Sequence, residues 1–273
     1  MLRLASLEGS ITATVAALGR LDRLVAIGRH DRRLLDRDDW ERVRELPQLP
    51  CTWAITPADL ERVEADLVLG SIPVREKSLA TLLQSYRDLL MLMPTDLDSI
   101  YRNIRIVGSL VGAAEQAEQV VGSMQNEFRQ LRQKLSGEPR RKVYIEVWPR
   151  PYMNGPLWVA ELVEQYLNAD FVPHPADRKS IPEEEIIAAA PHVIVLTWPG
   201  VDDPPIERVY RRSAWQELPA IRARRVETIP EIWVNSPGPN LVKGARALAR
   251  AIHPSLARRD MPSSHSIGGP WPT

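Results

Sequence analysis

Short apolar runs alternate with amphipathic stretches along the first ninety residues. The runs of strand length cover residues 2–7, 24–28 and 66–70. The stretches of helical pattern cover residues 11–19, 56–65 and 76–90. Ser10 and Thr56 stand where helix N-caps are expected, and Gly19 stands where a helix would end. Strands that alternate with helices predict a parallel, doubly wound, Rossmann-like lobe.

The second half repeats this alternation. Its strand-like runs cover residues 142–148, 170–172, 192–198 and 224–229. Its helical stretches cover residues 155–168, 180–190 and 240–253. Ser180 is expected to cap the second of these helices, and acidic residues in the first turn suit the helix dipole. The pattern therefore predicts a second doubly wound lobe.

A single apolar stripe runs along the segment between the halves. Its members step by four and three residues: Ala117, Val121, Met124, Phe128, Leu131 and Leu135. A helix over residues 112–135 would span about 36 Å, long enough to act as a strut between lobes. A coiled-coil dimer seam is the alternative interpretation of the stripe.

These patterns define an α/β protein with two doubly wound lobes joined by one long backbone helix. The predicted parts are an N-terminal α/β lobe (1–95), the backbone helix region (96–137), a C-terminal α/β lobe (138–254) and a flexible tail (255–273). The tail is assigned on its Pro, Ser and Gly content and its lack of periodicity.

Three strand-like runs of the second half deliver tryptophans beside prolines, namely Trp148, Trp198 and Trp233. Ligands of open parallel sheets bind outside the carboxyl ends of the strands. We therefore expect these indoles, with Trp53 from the first lobe, to line a ligand cleft between the lobes. Simple packing is the alternative for any one of them, and the packing role is assigned to Trp40, Trp158 and Trp215.

Composition narrows the class of function. Thirty-five basic and 35 acidic residues give a formal net charge of zero, so a broad electrostatic grip on nucleic acid is not expected. The one cysteine, Cys51, forms no disulfide within the chain. The sequence has no apolar run of about 18 residues, and its first residues lack signal-peptide features. A cytoplasmic protein and a protein whose leader has been removed are both compatible with these features.

Several stretches resemble one known family. They include RLASLEGSITATVAALGRLDRLVAIGRHD at residues 3–31, IRIVGSLVGAAEQAEQVV at 104–121, and IPEEEIIAAAPHVIVLT at 181–197. The segment at 215–254, with Trp-x-x-Leu-Pro-Ala, a strand, Pro-Gly-Pro and an Ala-rich helix ending in His-Pro, is the most specific. The chain is similar to substrate-binding proteins of ABC importers for cobalamin, haem and ferric siderophores. Ala65 departs from the family pattern, which has proline there.

The resemblance implies ligand binding without catalysis and without an intrinsic cofactor. By position, it assigns the ligand contacts to Glu8, Gly9, Ser10, His30, Trp53, Trp148, Tyr152, Trp198 and Trp233. The richness in tryptophan favours a corrinoid ligand. Arg29 and Arg150 could instead meet an anionic ferric siderophore, and haem is a further alternative ligand. His30 is a candidate axial ligand to the metal of such a ligand.

The resemblance also implies partners. One acidic residue on each lobe, Glu76 and Glu207, would dock a monomeric binding protein onto the membrane subunits of an ABC importer. A cytoplasmic sensor or carrier of the same fold, a regulatory scaffold and an enzyme on a related two-lobed scaffold are the alternatives. The sequence has no Gly-rich phosphate loop, no Gly-x-Ser-x-Gly motif and no metal-spaced His pair that would favour an enzyme.

Overall fold

The chain divides into two α/β units in a computed structural model that describes residues 2–52, 54–72, 80, 83, 88–174 and 180–258. Within the described part, unit 1 contains residues up to 124 and residues 237–240. Unit 2 contains residues 125–236 and 241–258. Two α/β units were predicted from the alternation of strands and helices, and the fold class is confirmed.

Unit 1 is built on a five-stranded parallel sheet with strand order β3-β2-β1-β4-β5. The strands are β1 (Leu4–Ser6), β2 (Leu24–Gly28), β3 (Gln48–Leu49), β4 (Leu67–Ser71) and β5 (Leu89–Leu92). The central strand β1 is buried along its whole length. Strand order reverses at β1, since β2 and β4 pair on either side of it, which is the doubly wound arrangement.

The described α-helices of unit 1 are α1 (Gly9–Ala17), α2 (Arg37–Val43), α3 (Pro57–Leu60) and α4 (Leu97–Leu110). Thr56 is the N-cap of α3, as predicted. The Thr56 backbone N–H donates a hydrogen bond to Asp59 Oδ2 at 3.0 Å. Gly19 follows α1 in the left-handed region at φ 68°, where glycine carries little strain. Glu8, not Ser10, is the N-cap of α1, because the helix begins one residue earlier than Ser10.

One further difference lies within residues 76–90, for which a helix was predicted. Leu89 and Leu90 belong to strand β5, because the apolar run continuing to Leu92 pairs in parallel with β4. Most of the remaining residues lie outside the described part of the chain. Helix α2 and the two-residue strand β3 were not predicted, because neither is long enough to show a clear period.

The segment 96–137 contains α4 and the longer helix α5 (Ala114–Leu135). Gly112, at φ 68°, lies in the turn between the two helices. All six residues of the predicted stripe are buried within the chain itself, at no more than 1% exposure. The stripe therefore packs inside the protein, and the coiled-coil alternative is wrong. The boundary between the units falls within α5, after Met124.

Unit 2 is built on a second sheet with strand order β10-β9-β6-β7, and β8 also pairs with β6. The strands are β6 (Arg141–Pro149), β7 (Tyr152–Asn154), β8 (Ala169–Phe171), β9 (Val193–Leu196) and β10 (Val226–Thr228). All pairs are parallel except β6 with β7, which form an antiparallel hairpin. The hairpin extends β6 beyond the parallel part of the sheet.

The described α-helices of unit 2 are α6 (Leu157–Tyr166), α7 (Glu183–Ala189), α8 (Ile206–Tyr210), α9 (Pro219–Arg222) and α10 (Leu241–Ile252). Pro182, not Ser180, is the N-cap of α7, because the helix starts later than predicted. A 3₁₀ helix over Pro254–Arg258 follows α10 and buries Leu256. Within the described residues, no helix combines the length and the apolar character that crossing a membrane requires.

Candidate functional site

The first candidate region lies at the carboxyl ends of the unit 1 strands. Strand β1 ends at Ser6, and helix α1 begins at Gly9, so only Leu7 and Glu8 connect them. A Cβ atom on Gly9 would lie 2.7 Å from Leu34 Cδ1, so a larger residue at this position would require the Leu34 side chain to shift. Ser10 is buried in the first helical turn. The predicted contact residues 8–10 therefore form one compact β1–α1 turn.

Glu8 turns its carboxylate toward the chain after β3. Its Oε1 atom accepts a hydrogen bond from the Thr52 backbone N–H at 2.9 Å. Burial raises the pKa of Glu8 to about 7, hydrogen bonds from Thr52 oppose this rise, and the nearby Asp31 adds to it. Glu8 is thus a carboxyl that titrates near neutrality.

Asp31 is the second acid of this region, with 2% of its surface exposed, whereas Glu8 is partly buried. Its Oδ2 atom accepts a hydrogen bond from the Gly28 N–H at 2.8 Å and one from the Thr12 hydroxyl, which also lies 2.7 Å from Ser6 Oγ. Burial raises the pKa of Asp31 to about 7 against these hydrogen bonds. We call Glu8 and Asp31 the acidic pair. Among the described residues, neither forms an ion pair.

His30 and Trp53 are the other unit 1 residues predicted to contact a ligand. His30 is exposed and precedes a 3₁₀ helix over Asp31–Arg33. Trp53 lies outside the described residues. The part of the chain that the structure describes contains no group of three or more His, Cys, Asp or Glu side chains that could hold a metal ion.

The second candidate region lies at the carboxyl ends of the unit 2 strands. Glu146 of β6 is aligned with Leu196 of β9, and Leu196 is aligned with Thr228 of β10. Trp148 lies two residues after Glu146, and Trp198 lies two residues after Leu196. The sequence pattern predicted this shared placement, but the two indoles have different surroundings.

Trp148 is 42% exposed and lies on the β6–β7 hairpin, opposite Met153. Trp198 is only 6% exposed and belongs to the apolar core of unit 2. Its Nε1–H donates a hydrogen bond to Glu146 Oε1 at 3.1 Å. Trp148 therefore offers surface to a ligand, and Trp198 offers little.

Trp233 ends a 3₁₀ helix over Glu231–Trp233 and is partly buried. The sequence pattern placed Trp233 at or just after the end of a strand. Strand β10 ends at Thr228, and Trp233 follows later, in the 3₁₀ helix. A Cβ atom on Gly244 of α10 would lie 2.2 Å from the Trp233 carbonyl oxygen. This close approach of backbone to helix fixes the main chain at Trp233.

A buried ion pair lies beneath the hairpin. Glu146 has no exposed surface, and Arg212 donates to both of its carboxylate oxygens, from Nη1 at 2.6 Å and from Nη2 at 2.8 Å. The Arg212 guanidinium lies 4.2 Å from the ring centroid of Trp215 and 5.1 Å from that of Tyr152. Burial alone would lower the pKa of Arg212, but the hydrogen bonds and charge of Glu146 raise it overall.

Glu183, the first residue of α7, completes this group. Its Oε1 atom accepts one hydrogen bond from the Tyr152 hydroxyl and one from Trp215 Nε1–H, both at 2.8 Å. Burial, followed by the hydrogen bond to Glu183, raises the pKa of Tyr152 to about 12, so its phenol stays protonated at neutral pH. We call Glu146, Arg212, Glu183, Tyr152, Trp198 and Trp215 the arginine network.

Sequence reasoning did not find this network. It assigned Trp215 to packing and attributed the acidic residues at the start of helix α7, which include Glu183, to the helix dipole. One signal was present, because Glu146 is a charge within the otherwise apolar and aromatic run VYIEVW. A carboxylate at such a position must have a partner if it is buried.

The two predicted importer-docking residues are Glu207 and Glu76. Glu207 is exposed on α8, and its carbonyl accepts a hydrogen bond from the Arg211 N–H at 3.2 Å. Glu76 lies outside the described residues. Both assignments stay predictions.

Residues 4–232 match the family model described as periplasmic binding protein, so the chain belongs to the periplasmic binding protein family. The resemblance predicted from the sequence is thereby confirmed. One curated relative is an uncharacterized ABC transporter substrate-binding lipoprotein, YvrC of Bacillus subtilis (strain 168). It is 26% identical over 266 residues, which cover 92% of this chain and 80% of the relative.

Solved structures share the fold. The apo form of the periplasmic heme-binding protein RhuT from Roseiflexus sp. RS-1 has a TM-score of 0.74 at 19% identity, covering 92% of this chain and 97% of RhuT. The periplasmic vitamin B12 binding protein BtuF of Vibrio cholerae has a TM-score of 0.71 at 18% identity, covering 94% and 98% respectively. At these identities the likeness concerns the fold.

Proposed function

We propose that this protein binds a bulky metal chelate without transforming it and delivers it to an ABC importer, with a cobalamin-like corrinoid as the favoured ligand. The observation that carries the proposal is the exposed indole of Trp148 at the carboxyl end of the unit 2 sheet. A large aromatic side chain has few rotatable bonds, so it gives broad contact area at small entropic cost. The partly buried Tyr152 and Trp233 belong to the same end of unit 2.

The named relatives support a binding role. One bears the name of an ABC transporter substrate-binding lipoprotein, and the two structures named above are heme-binding and vitamin B12 binding proteins. We accordingly propose that the protein works outside the cytoplasmic membrane. Glu8, Gly9, Ser10 and His30 of unit 1 are proposed as further ligand contacts.

Haem or a ferric siderophore is the second candidate ligand. Arg29 and Arg150 are both exposed, and Arg150 follows Trp148 by two residues. An exposed guanidinium beside an exposed indole suits a ligand that joins a flat apolar surface to a carboxylate. In this case His30 would be the candidate axial ligand to the metal.

Docking to the importer is proposed to use Glu207 of unit 2 together with Glu76. Glu207 is exposed on the short helix α8, where a carboxylate is free to meet a basic pocket of a membrane subunit. A single exposed ion pair is weak, so two separated pairs would set the register of docking more than its strength.

Calorimetric titration with cyanocobalamin, haemin and ferrichrome tests the proposed function. We expect one of these probes to bind with Kd of about 10 μM or tighter, and Trp148→Ala to weaken that binding about tenfold or more. Trp40→Ala is the matched control, since Trp40 is an indole stacked with Arg32 at 5.3 Å on the other unit. Absence of binding by all three probes up to about 100 μM would overturn the proposal.

A further inference from the structure

The buried ion pair of unit 2 stands where β6 leaves the parallel sheet. Glu146 pairs with Leu196 of β9 on one side and with Asn154 of β7 on the other. The register of β6 with β7 then shifts between Glu146 and Trp148. Such an irregularity re-aims the side chains beyond it and weakens the ladder locally. The hairpin that carries Trp148 therefore needs support beyond its own strand pairing.

The arginine network supplies that support at several points. Arg212 joins Glu146 of β6 to the ring of Tyr152 at the start of β7, so it spans both strands of the hairpin. The Tyr152 hydroxyl donates to Glu183, and the Tyr152 carbonyl accepts a hydrogen bond from the Ile181 N–H at 2.9 Å. The Tyr152 ring also packs against Trp215, with centroids 5.5 Å apart.

Stability alone is a weak reason for a buried ion pair. Removing two charges from water costs free energy that their attraction often fails to return, and an apolar pair of similar volume frequently does as well. Direct ligand contact is an equally weak reason, because both terminal nitrogens of Arg212 are committed to Glu146 and the side chain is 13% exposed. The remaining explanation is that Arg212 fixes the geometry of the β6–β7 hairpin.

We infer that Arg212 is a positioning residue for ligand recognition, which holds the β6–β7 hairpin in the conformation that exposes Trp148. This inference rests on the proposed function and deepens it. Arg212 acts through Tyr152 and Glu146, and the ligand meets the indole. The fixed hairpin presents a preorganised apolar surface, so little conformational freedom is lost on binding.

The first test needs no ligand. The full chain carrying Glu146→Gln with Arg212→Met removes both charges, so no lone carboxylate is left to unfold unit 2. We expect amide hydrogen exchange over residues 147–154 to become about tenfold faster or more, while exchange over β9 is unchanged. Arg140→Met is the control, since it breaks an exposed ion pair of the same unit, Arg140 Nε to Asp170 Oδ1 at 2.6 Å. Unchanged exchange over the hairpin in the double variant would overturn the inference.

The second test asks whether Arg212 acts through Trp148. The probe is whichever of cyanocobalamin, haemin and ferrichrome the wild-type protein binds. We expect the double variant to weaken binding about tenfold, and to weaken it less than about twofold when Trp148→Ala is already present. Equal losses in both backgrounds would mean a general structural effect and would overturn the inference.

The two tests separate failure of this inference from failure of the proposed function. If the wild-type protein binds none of the probes, the proposed function fails, and the part of the inference that concerns recognition fails with it. The exchange measurement still decides whether Arg212 fixes the hairpin. If the wild-type protein binds a probe and the exchange is unchanged, only the inference fails.

Discussion

The carboxylates at the carboxyl ends of the two sheets have different kinds of hydrogen-bond partner. In unit 1, Glu8 and Asp31 are held by hydroxyl and backbone N–H donors, and burial raises the pKa of each to about 7. In unit 2, Glu146 is more deeply buried but meets the two terminal nitrogens of Arg212. Neutral donors offset only part of the loss of hydration of a carboxylate, whereas a bidentate guanidinium also supplies the opposite charge.

This difference gives the two ends different responses to pH. The acidic pair exchanges protons with solvent in the physiological range. In the arginine network the pKa of Arg212 is raised, so its guanidinium stays charged, and the Tyr152 phenol stays protonated at neutral pH. A carboxylate near the carboxyl end of a sheet therefore meets neutral donors in one unit and a positive charge in the other.

Removal of Arg212 should have the largest effect on the free energy of unfolding. Glu146 would then lack a positively charged partner, as the acidic pair of unit 1 does. Arg212→Ala leaves Glu146 as a buried, uncompensated charge, so we expect unfolding in urea to require about 3–5 kcal/mol less at pH 8. Arg140→Ala, at an exposed pair, should cost no more than about 1 kcal/mol. A loss below about 1 kcal/mol for Arg212→Ala would show that the pair is not the compensating interaction.

The acidic pair should make stability fall as pH rises. The folded pKa of about 7 lies above the ordinary value of each carboxyl, so the folded state binds more protons than the unfolded state between about pH 4 and 7. This stabilisation is complete below the ordinary pKa and is lost as pH rises through 7. We expect a loss on the order of 2–3 kcal/mol per group, measured as the unfolding free energy between pH 5 and pH 8.

Asp31→Asn sharpens the same comparison. The amide oxygen keeps an acceptor for the Gly28 N–H but no longer titrates, so the variant should lose about half of the dependence on pH. An exposed acid gives the control: Glu64→Gln alters a carboxylate whose side chain is 88% exposed and should leave the dependence unchanged. Identical pH profiles for the wild type and Asp31→Asn would remove Asp31 from the acidic pair.

The smallest expected effect comes from one neutral donor of the arginine network. Tyr152→Phe removes the hydroxyl that donates to Glu183 but keeps the ring under Arg212, and Trp215 Nε1–H still donates to the same oxygen. We expect a loss of about 1 kcal/mol in unfolding free energy. A loss as large as that of Arg212→Ala would mean that the hydroxyl, not the ion pair, holds the network together.

Local features of the fold were predictable because they depend on neighbours in sequence. Strand β2 was predicted over residues 24–28 and is observed at Leu24–Gly28. The stripe of α5 was predicted from its spacing and is buried at every position. Where a local pattern was ambiguous, tertiary pairing decided, as for Leu89 and Leu90, which join β5.

The candidate site was predictable only in part. The pattern placed Trp148 at the carboxyl end of β6 and residues 8–10 at the end of β1. The partners of their neighbours could not be predicted, because Glu146 and Arg212 are 66 residues apart and Glu8 and Thr52 are 44 residues apart. Charged residues at such separations carry no periodic signal that links them.

The sequence by itself determined the α/β class, the two units, the long helix and the family, since these follow from local periodicity and from stretches of similar residues. Tertiary structure alone decided which indole is exposed and which carboxylate is neutralised. Trp148 and Trp198 occupy equivalent places after aligned strand positions, but β6 continues into a hairpin, and the chain after β9 turns into the core. Burial and charge pairing depend on all the elements that surround a side chain, and those elements come from distant parts of the chain.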